Sequence, residues 1–325
     1  MNLKHYVSRV PFGMLEGLRL PAPDLSSKQI KEALPVIEEV GQPARGGQRA
    51  VFPIVIGGRR FALMVMPLSQ SATVAEAEEA SFGEVEEVVS RANREFAILE
   101  KCNIPQFVKT GPIRPTECNI GGTRFVCFTE EWIDGTNVEE ILAASGPFAI
   151  SELVRLGEDV ATAVKALWSL SIVHRDIKPR NIMKRAKGTY VLLDMGYALD
   201  LSDKSLSASG VIPGTLAYFS PEQIDLSRKR QMDFRSDLFS LGIVLYQAAT
   251  NRHPFWTTGM TTSDVLARTL QGMTEPPSTY RKDLPPSMER VILRLLAPSP
   301  HMRFKSCAHL VEALNAVAAL GRSIK

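Results

Sequence analysis

Two neighbouring stretches hold the polar groups around which this chain is organised: VHRDIKPRNIM at residues 173–183 and VLLDMG at residues 191–196. The first stretch sets Asp176, Lys178 and Asn181 at offsets of two and three. The second ends an aliphatic run, which is typical of a β-strand, with another aspartate. We expect the first three groups to lie together on one rigid loop.

Groups of this kind suit phosphoryl transfer. A carboxylate, here Asp176, can orient a hydroxyl and accept its proton, and Lys178 can neutralise the charge that develops on the transferred group. The amide oxygen of Asn181 and the carboxylate of Asp194 are ligands that Mg²⁺ prefers, and Mg²⁺ in turn holds a triphosphate. The sequence therefore predicts two catalytic residues on the loop and two metal ligands beside them.

The amino-acid composition is that of an ordinary globular protein and does not by itself indicate a function. The chain has 325 residues, of which 45% are apolar and 22% charged, and a net charge of +3. These values are ordinary for one large or two smaller globular domains, and so weak a charge gives no reason to expect a nucleic-acid partner. We find no apolar run that would span a membrane and no signal peptide, so we expect a cytoplasmic protein with no membrane partner. The four cysteines lack metal-ligand spacing and are interpreted as reduced thiols: Cys102, Cys118, Cys127 and Cys307.

Further motifs follow in a fixed order. GTLAYFSPE at residues 214–222, SDLFSLG at residues 236–242 and Arg303 all lie C-terminal to the opening pair. Over roughly residues 35–320 this order resembles the eukaryotic-like (Hanks-type) Ser/Thr protein kinase family, in a form that looks bacterial. The resemblance implies an α+β, two-lobed protein-kinase-like fold with a β-rich N-lobe and a helical C-lobe, in which Arg303 pairs with Glu222.

The same resemblance and the local patterns divide the chain. Residues 1–33 are predicted to form an N-terminal extension, 34–130 the N-lobe, 131–136 the hinge and 137–325 the C-lobe. In the N-lobe, apolar runs on both sides of Gly57-Gly58 predict a β-hairpin. In the C-lobe, apolar residues spaced by three or four predict a long core helix: Leu153, Leu156, Val160, Val164 and Leu167.

The resemblance implies that the nucleotide is ATP. Residues 41–51 would then form the loop over its phosphates, because glycines let backbone amides approach phosphate oxygens closely. Only Gly46 and Val51 keep the register of the family's loop, and Arg49 stands where its last glycine is expected.

Other positions follow from the same alignment of motifs. Glu95 corresponds to the helix glutamate that pairs with the ATP-binding lysine of the family. The backbone of residues 131–133 would hydrogen-bond the adenine edge. Glu130 would then be the gatekeeper residue, which limits access to the pocket behind the adenine. The predicted nucleotide-binding residues are Gly46, Val51, Ala62, Met64, Glu95, Glu131 and Ile133.

Met64 is the sharpest departure from the family. The V-A-I-K pattern places its lysine at this position, and a thioether can neither pair with Glu95 nor hold phosphates. Three explanations for Met64 stay open. The chain is an engineered inactive variant, it is a natural pseudokinase or atypical kinase, or another cation such as Lys101 or Arg60 replaces the lysine. An error in the alignment of this strand with the family pattern would also explain a methionine at this position. Because the catalytic and metal residues are intact, the sequence favours the engineered variant.

The resemblance as a whole implies a protein Ser/Thr kinase that uses ATP and Mg²⁺ and is strongly impaired as it stands. Serines and threonines within residues 202–215 are candidates for autophosphorylation, and Arg175 could pair with a phosphate there. Two alternatives remain: a binding or scaffold module without catalysis, and an enzyme that phosphorylates a small molecule such as an aminoglycoside. Lys178 and the 214–222 motif favour a protein substrate.

Overall fold

The computed structural model describes residues 25–46, 49–68, 82–201, 216–225, 227–228 and 232–322. Its contacts divide the chain into two compact units. The first unit contains the described residues up to Asn103 together with Val108–Ile133, and the second contains Ile104–Phe107 and the described residues from Asp134 onward. Strands dominate the first unit and helices the second, which is the α+β, two-lobed architecture that the sequence predicts.

An antiparallel sheet forms the frame of the first unit. Its strands are β1 (Glu39–Val40), β2 (Ala44–Gly46), β3 (Arg49–Ile56), β4 (Arg59–Pro67), β5 (Thr116–Ile120) and β6 (Thr123–Glu131). They lie in the order β1-β3-β4-β6-β5, and β2 pairs with β3. Strands β3 and β6 are rich in β-branched and aromatic residues, which suit a pleated surface that is buried on at least one face.

The predicted hairpin between β3 and β4 is confirmed. Gly57 and Gly58 both adopt positive φ, at 57° and 68°, as a tight two-residue turn of this kind requires. The Glu38 carboxylate accepts hydrogen bonds from both turn amides, at 2.8 and 3.1 Å. This turn fixes the register of the two strands, so that Val51 lies opposite Met64.

Helix α1 (Ser27–Ala33) packs on one face of this sheet. Ser26 and Gln29 form a capping box at its start, and Ile30 is fully buried among the apolar residues of β3, β4 and β6. The sequence predicts an N-terminal extension over residues 1–33. In the structure, the described part of that range contributes to the core of the first unit.

Helix α2 (Phe82–Lys101) packs on the opposite face of the sheet. Phe96 contacts Phe128 edge to face, with the ring centroids 6.3 Å apart. Met64 belongs to the same apolar cluster, whereas its neighbours Leu63 and Val65 belong to the cluster under α1. The alternation of β4 thus divides its side chains between two cores.

Helices form most of the second unit. They are α3 (Val138–Ser145), α4 (Ile150–Trp168), α5 (Pro221–Ile224), α6 (Phe234–Thr250), α7 (Thr262–Gln271), α8 (Pro286–Leu295) and α9 (Cys307–Arg322). Short strands form two small sheets: β7 (Gly135–Asn137), β9 (Ile182–Arg185) and β10 (Tyr190–Leu192) in one, β8 (Ile172–Val173) and β11 (Leu199–Asp200) in the other.

Helices α4 and α6 form the centre of this unit. Helix α4 buries the predicted apolar stripe, and α6 is buried on nearly every side, which is typical of a central helix. Gly242 lets α6 approach α8 closely, since a Cβ added there would lie 2.7 Å from the Cβ of Leu295. This packing fixes the position of Asp237 in the first turn of α6.

A buried ion pair ties the N-terminal end of α5 to the segment before α9. Arg303 binds both carboxylate oxygens of Glu222, through Nη1 at 2.6 Å and Nη2 at 3.0 Å, which confirms the predicted pair. The Ser236 hydroxyl donates to the same carboxylate at 2.7 Å, and Arg303 also donates to backbone oxygens of Ala297 and Arg235. A bidentate pair of this kind is strong where its remaining donors are satisfied.

We expect Arg303→Met to lower the free energy of unfolding by about 3–5 kcal/mol, because it leaves the Glu222 carboxylate buried without its charged partner. Urea unfolding would measure the loss. The matched control is Arg124→Met, which breaks an exposed pair with Glu117 and should cost at most about 1 kcal/mol. Equal losses in the two variants would contradict the structural role of the buried pair.

Candidate active site

The predicted catalytic residues lie on a loop between β8 and β9. The loop leaves Val173 and ends in a single helical turn at Pro179–Asn181 that leads into β9. Strand β8 pairs with β11 and strand β9 pairs with β10. Hydrogen-bonded strands therefore hold both ends of the loop.

Asp176, Lys178 and Asn181 meet in one hydrogen-bonded cluster. Lys178 Nζ lies 2.8 Å from Asp176 Oδ2, and Asn181 Nδ2 donates to that oxygen and to the Asp176 backbone oxygen, at 3.0 Å each. The Asp176 side chain is almost fully buried. Donors on one oxygen fix the rotation of the carboxylate, so the chain brings together the three groups that the sequence predicts.

Asp237 anchors the backbone of this loop. Its carboxylate oxygens accept the N–H groups of His174 and Arg175, both at 2.9 Å. The Gln223 side chain donates to the Arg175 backbone oxygen at 3.1 Å. Burial raises the pKa of the Asp237 carboxyl, while the positive charge nearby and the two backbone N–H groups act in the opposite direction. Sequence reasoning did not find this anchor, although Asp237 lies in one of the motifs.

The His174 ring is part of the same support. It is fully buried, Nδ1 accepts the Asp176 N–H at 3.2 Å, and Nε2 lies 3.2 Å from the Leu193 backbone oxygen. Both ring nitrogens thus contact backbone groups of the two motifs, at Asp176 and at Leu193. His174 therefore positions Asp176 and is not itself placed to transfer a proton.

The backbone also brings Asn181 close to Asp194. The Leu193 N–H donates to the Asn181 backbone oxygen at 2.9 Å, and Asp194 follows with a φ of 65°, which is uncommon for a residue other than glycine. The Gly196 N–H donates to Asp194 Oδ1 at 3.1 Å. Because Asn181 Nδ2 donates to Asp176, the amide oxygen is the part of Asn181 that can bind a cation. An amide oxygen and a carboxylate are ligands that suit Mg²⁺.

The predicted nucleotide-binding side chains of the sheet share one face. Val51 lies opposite Met64, and Glu130 lies opposite Ala62. Residues that lie directly opposite each other in antiparallel strands point to the same face, which is the face that α2 covers. This register puts the buried Glu130 carboxylate beside Ala62, the position expected of the guarding residue.

Two further nucleotide-binding positions lie at the ends of strands. Glu131 ends β6, and its N–H donates to the Lys109 backbone oxygen at 2.7 Å, so that this donor is already used within the first unit. Ile133 is the last residue before the chain passes to the second unit. Gly46 pairs with Arg49 at the end of the β2–β3 hairpin.

Parts of the predicted site lie outside the described residues. They are the tip of the phosphate loop at residues 47–48 and the whole of 202–215. The second range contains the candidate phosphate acceptors Ser202, Ser205, Ser207, Ser209 and Thr215.

Glu95 has a cationic neighbour that sequence reasoning missed. Its side chain is fully buried, and Arg49 Nη1 lies 3.1 Å from Oε1 and 3.3 Å from Oε2. Neither of the two cations considered from the sequence takes this place: the Arg60 guanidinium lies over the Trp132 ring at 4.7 Å, and Lys101 is exposed at the end of α2. The signal was the unusual arginine at the position of the loop's last glycine.

A histidine supports the described end of the 214–222 motif. His253 Nε2 lies 3.0 Å from the Ala217 backbone oxygen, and Nδ1 accepts the Phe255 N–H at 3.2 Å. The ring also contacts Tyr218 edge to face, with the centroids 5.5 Å apart. Burial lowers the pKa of His253 to about 4, so the ring is neutral at physiological pH.

Comparison with known proteins identifies the class of protein. The protein kinase domain family matches residues 70–314, and the chain therefore belongs to that family. Its motifs and relatives place it among the Hanks-type Ser/Thr kinases of bacteria. The matched range begins after strands β3 and β4, which hold Arg49 and Met64.

Three bacterial relatives illustrate the similarity. The chain is 30% identical to the serine/threonine-protein kinase PknB of Mycobacterium tuberculosis over 222 residues, which are 68% of this chain and 34% of the relative. It is 32% identical to the serine/threonine-protein kinase pkn3 of Myxococcus xanthus over 245 residues, 71% of this chain and 42% of the relative. It is 26% identical to a probable serine/threonine-protein kinase of Clostridium perfringens over 232 residues, 71% of this chain and 32% of the relative.

The matched part of the chain thus spans less than half of the length of these relatives. Among the helices that the structure describes, none is both long and apolar enough to cross a lipid bilayer. The four cysteines, all within described segments, are free thiols.

The lowered pKa of His253 predicts an acid-sensitive structure. Since the unfolded chain binds a proton near pH 6.5 and the folded chain only near pH 4, stability is lost as the pH falls through this window. The loss should reach about 2–3 kcal/mol, from the size of the shift and the partial exposure of the ring. Urea unfolding between about pH 5 and pH 7 should show a smaller pH dependence in His253→Gln than in the wild type. The control is His309→Gln at an exposed histidine, and a His253→Gln profile equal to that of the wild type would contradict the assignment.

Proposed function

We propose that this chain transfers the γ-phosphoryl group of ATP to Ser or Thr hydroxyls of proteins. The observation that carries the proposal is the cluster of Asp176, Lys178 and Asn181 on a loop whose backbone is anchored by the buried Asp237. Membership of the protein kinase family supports the reaction class. The relatives' names support Ser and Thr as acceptors.

In this proposal Asp176 orients the acceptor hydroxyl and takes its proton as the hydroxyl oxygen bonds to the γ-phosphorus. The bond from that phosphorus to the bridging oxygen breaks in the same step, and ADP leaves. The fixed rotation of its carboxylate holds the oxygen acceptor in one direction, which lowers the entropic part of the barrier. Lys178 stays within reach of the same centre and offsets the negative charge on the transferred group. A protein kinase needs no covalent intermediate for this step, because positioning and electrostatic stabilisation supply most of the acceleration.

Mg²⁺ would be held by the Asn181 amide oxygen and the Asp194 carboxylate, and it would neutralise the charge on the phosphates. Asn181 would serve two groups at once, since its amide nitrogen donates to Asp176 and its amide oxygen would bind the cation. The adenine edge would be met by backbone groups near Glu131 and Ile133, and Val51 and Ala62 would line the apolar side of the base.

A protein acceptor, in preference to a small molecule, is supported by the described part of the 214–222 motif. Its single helical turn, Leu216–Tyr218, is held by His253 and by the Ser240 hydroxyl, which donates to the Tyr218 backbone oxygen at 2.8 Å. The buried Glu222 then fixes the following helix. Such a support suits a surface that receives an extended segment of protein substrate. Autophosphorylation within residues 202–215 is part of the same proposal.

The sequence predicts that the chain is impaired, because Met64 supplies no charge to the phosphates. That prediction requires that no other cation does so. Arg49 beside Glu95 is the residue that decides between an active and an impaired enzyme.

The test is transfer of labelled γ-phosphate from ATP and Mg²⁺ to a generic protein such as casein, with mass spectrometry of the acceptor sites. We expect phospho-Ser or phospho-Thr in the wild type, and a loss of roughly 10²-fold or more in Asp176→Asn, from the usual contribution of a general base. The matched control is Asp283→Asn at an exposed carboxylate, which should keep wild-type activity.

Three results would contradict the proposal. Nucleotide binding with no transfer would favour the scaffold alternative. Consumption of ATP that never yields phospho-Ser or phospho-Thr, but labels an added aminoglycoside, would favour the small-molecule alternative. Equal activity in Asp176→Asn and the wild type would exclude the proposed catalytic cluster.

A further inference from the structure

The buried carboxylate of α2 has its cation on β3 and not on β4. Glu95 is inaccessible to solvent, and the Arg49 side chain is only 12% exposed. Arg49 Nη1 lies within hydrogen-bonding distance of both carboxylate oxygens, at 3.1 and 3.3 Å. An ionised carboxylate in such a place needs a charged or hydrogen-bonding partner, and the guanidinium provides one.

The register of the sheet explains how Arg49 reaches this place. Met64 lies opposite Val51 on β3, and Arg49 is two residues before Val51. Residues two apart in a strand point to the same face, so Arg49 and Met64 are diagonal neighbours on the face that carries α2. A long side chain from either position can therefore approach the Glu95 carboxylate.

The surroundings of Met64 are suited to an apolar side chain. It is 8% exposed and packs in a cluster that includes Phe96 of α2 and Phe128 of β6. The apolar residue at 64 and the cation at 49 complement each other, because Arg49 already supplies a positive charge to the Glu95 carboxylate. Two such cations would repel each other beside a single Glu95.

Arg49 also lies at the base of the predicted phosphate loop. It pairs with Gly46 across the β2–β3 hairpin, whose tip is the part of the loop expected to lie over the phosphates. A guanidinium carries N–H donors in a planar fork, and this geometry matches that of phosphate oxygens.

We propose that Arg49, held by Glu95, is the phosphate-binding cation of this kinase and replaces the lysine that is absent at position 64. The inference rests on the proposed function and deepens it, since it names the residue that binds the α- and β-phosphates of ATP. It also means that an enzyme with methionine at position 64 is expected to be active.

The experiment measures steady-state kinetics and nucleotide affinity in variants that remove the positive charge at position 49, place one at position 64, or do both. We expect Arg49→Met to lower kcat/KM for ATP by roughly 10²-fold or more, as loss of a charged transition-state contact does elsewhere. Arg49→Lys should stay within about tenfold of the wild type, since the ammonium keeps the charge but loses the fork. Met64→Lys alone should bring no gain, whereas Arg49→Met/Met64→Lys should regain at least about tenfold over Arg49→Met, because the charge returns from the neighbouring strand.

A further variant separates phosphate binding from mere support of the fold. Arg49→Met/Glu95→Gln removes both charges of this pair together, so we expect it to fold as the wild type does by circular dichroism and thermal unfolding. We expect it to remain as weak in kcat/KM for ATP as Arg49→Met. The control is Arg59→Met, the same replacement at an exposed arginine of β4, which should keep wild-type kinetics.

The outcomes distinguish this inference from the function on which it rests. If Met64→Lys alone raises activity and Arg49→Met changes nothing, the impaired-variant prediction holds and the inference is wrong. Recovery of activity in Arg49→Met/Glu95→Gln would reduce Arg49 to a structural role and also overturn the inference. If the wild type binds ATP but transfers nothing, the proposed function fails, and the affinity of Arg49→Met for ATP and Mg²⁺ still tests phosphate binding on its own.

Discussion

Among the carboxylates that are buried in the described residues, three have partners that hold separate chain segments together. Asp237 is bound by two backbone N–H groups of the catalytic loop, Glu222 by a bidentate arginine, and Glu95 by Arg49. A buried carboxylate left unpaired destabilises a fold by several kcal/mol, so each of these contacts holds two chain segments together. In each case one of the two segments belongs to the candidate site.

These contacts differ in what they position. Asp237 acts on the backbone of residues 174–175 and so sets the direction of Asp176 without touching a substrate. The pair of Glu222 and Arg303 acts on the helix that follows the 214–222 motif. The pair of Glu95 and Arg49 joins α2 to the strand that leaves the predicted phosphate loop. Of the three contacts, only that of Asp237 attaches the catalytic loop directly to a buried helix, α6.

Much of this arrangement could be predicted from the sequence because its signals are local or belong to motifs. The β3–β4 hairpin follows from Gly57-Gly58, and the central helix α4 follows from apolar residues at helical spacing. The pair of Glu222 and Arg303, 81 residues apart, was predicted because both residues lie in recognisable motifs. The cluster around Asp176 could be predicted for the same reason.

The remaining features depend on which faces meet in three dimensions. Arg49 and Glu95 are 46 residues apart in the sequence. Neither the register of β3 nor the packing of α2 on the sheet can be predicted from a short sequence pattern. Alternation along β4 placed Met64 on the correct face, but it could not show that a residue of the neighbouring strand faces the same carboxylate. Residues 1–33 are predicted to be an extension because prolines and glycines interrupt their scattered apolar residues, although Ile30 is fully buried in the core.

The way α1 and the first strands pack has a consequence for the choice of fragments for expression. The family match begins at residue 70, yet the described residues before it supply most of one core of the first unit and half of the other. A fragment trimmed to the matched range would keep the catalytic loop but expose the apolar faces of β5, β6 and α2 to solvent. Contiguous exposed surfaces of that kind favour aggregation, so the boundary of the folded unit has to be taken from the packing of Ile30 and not from the motifs.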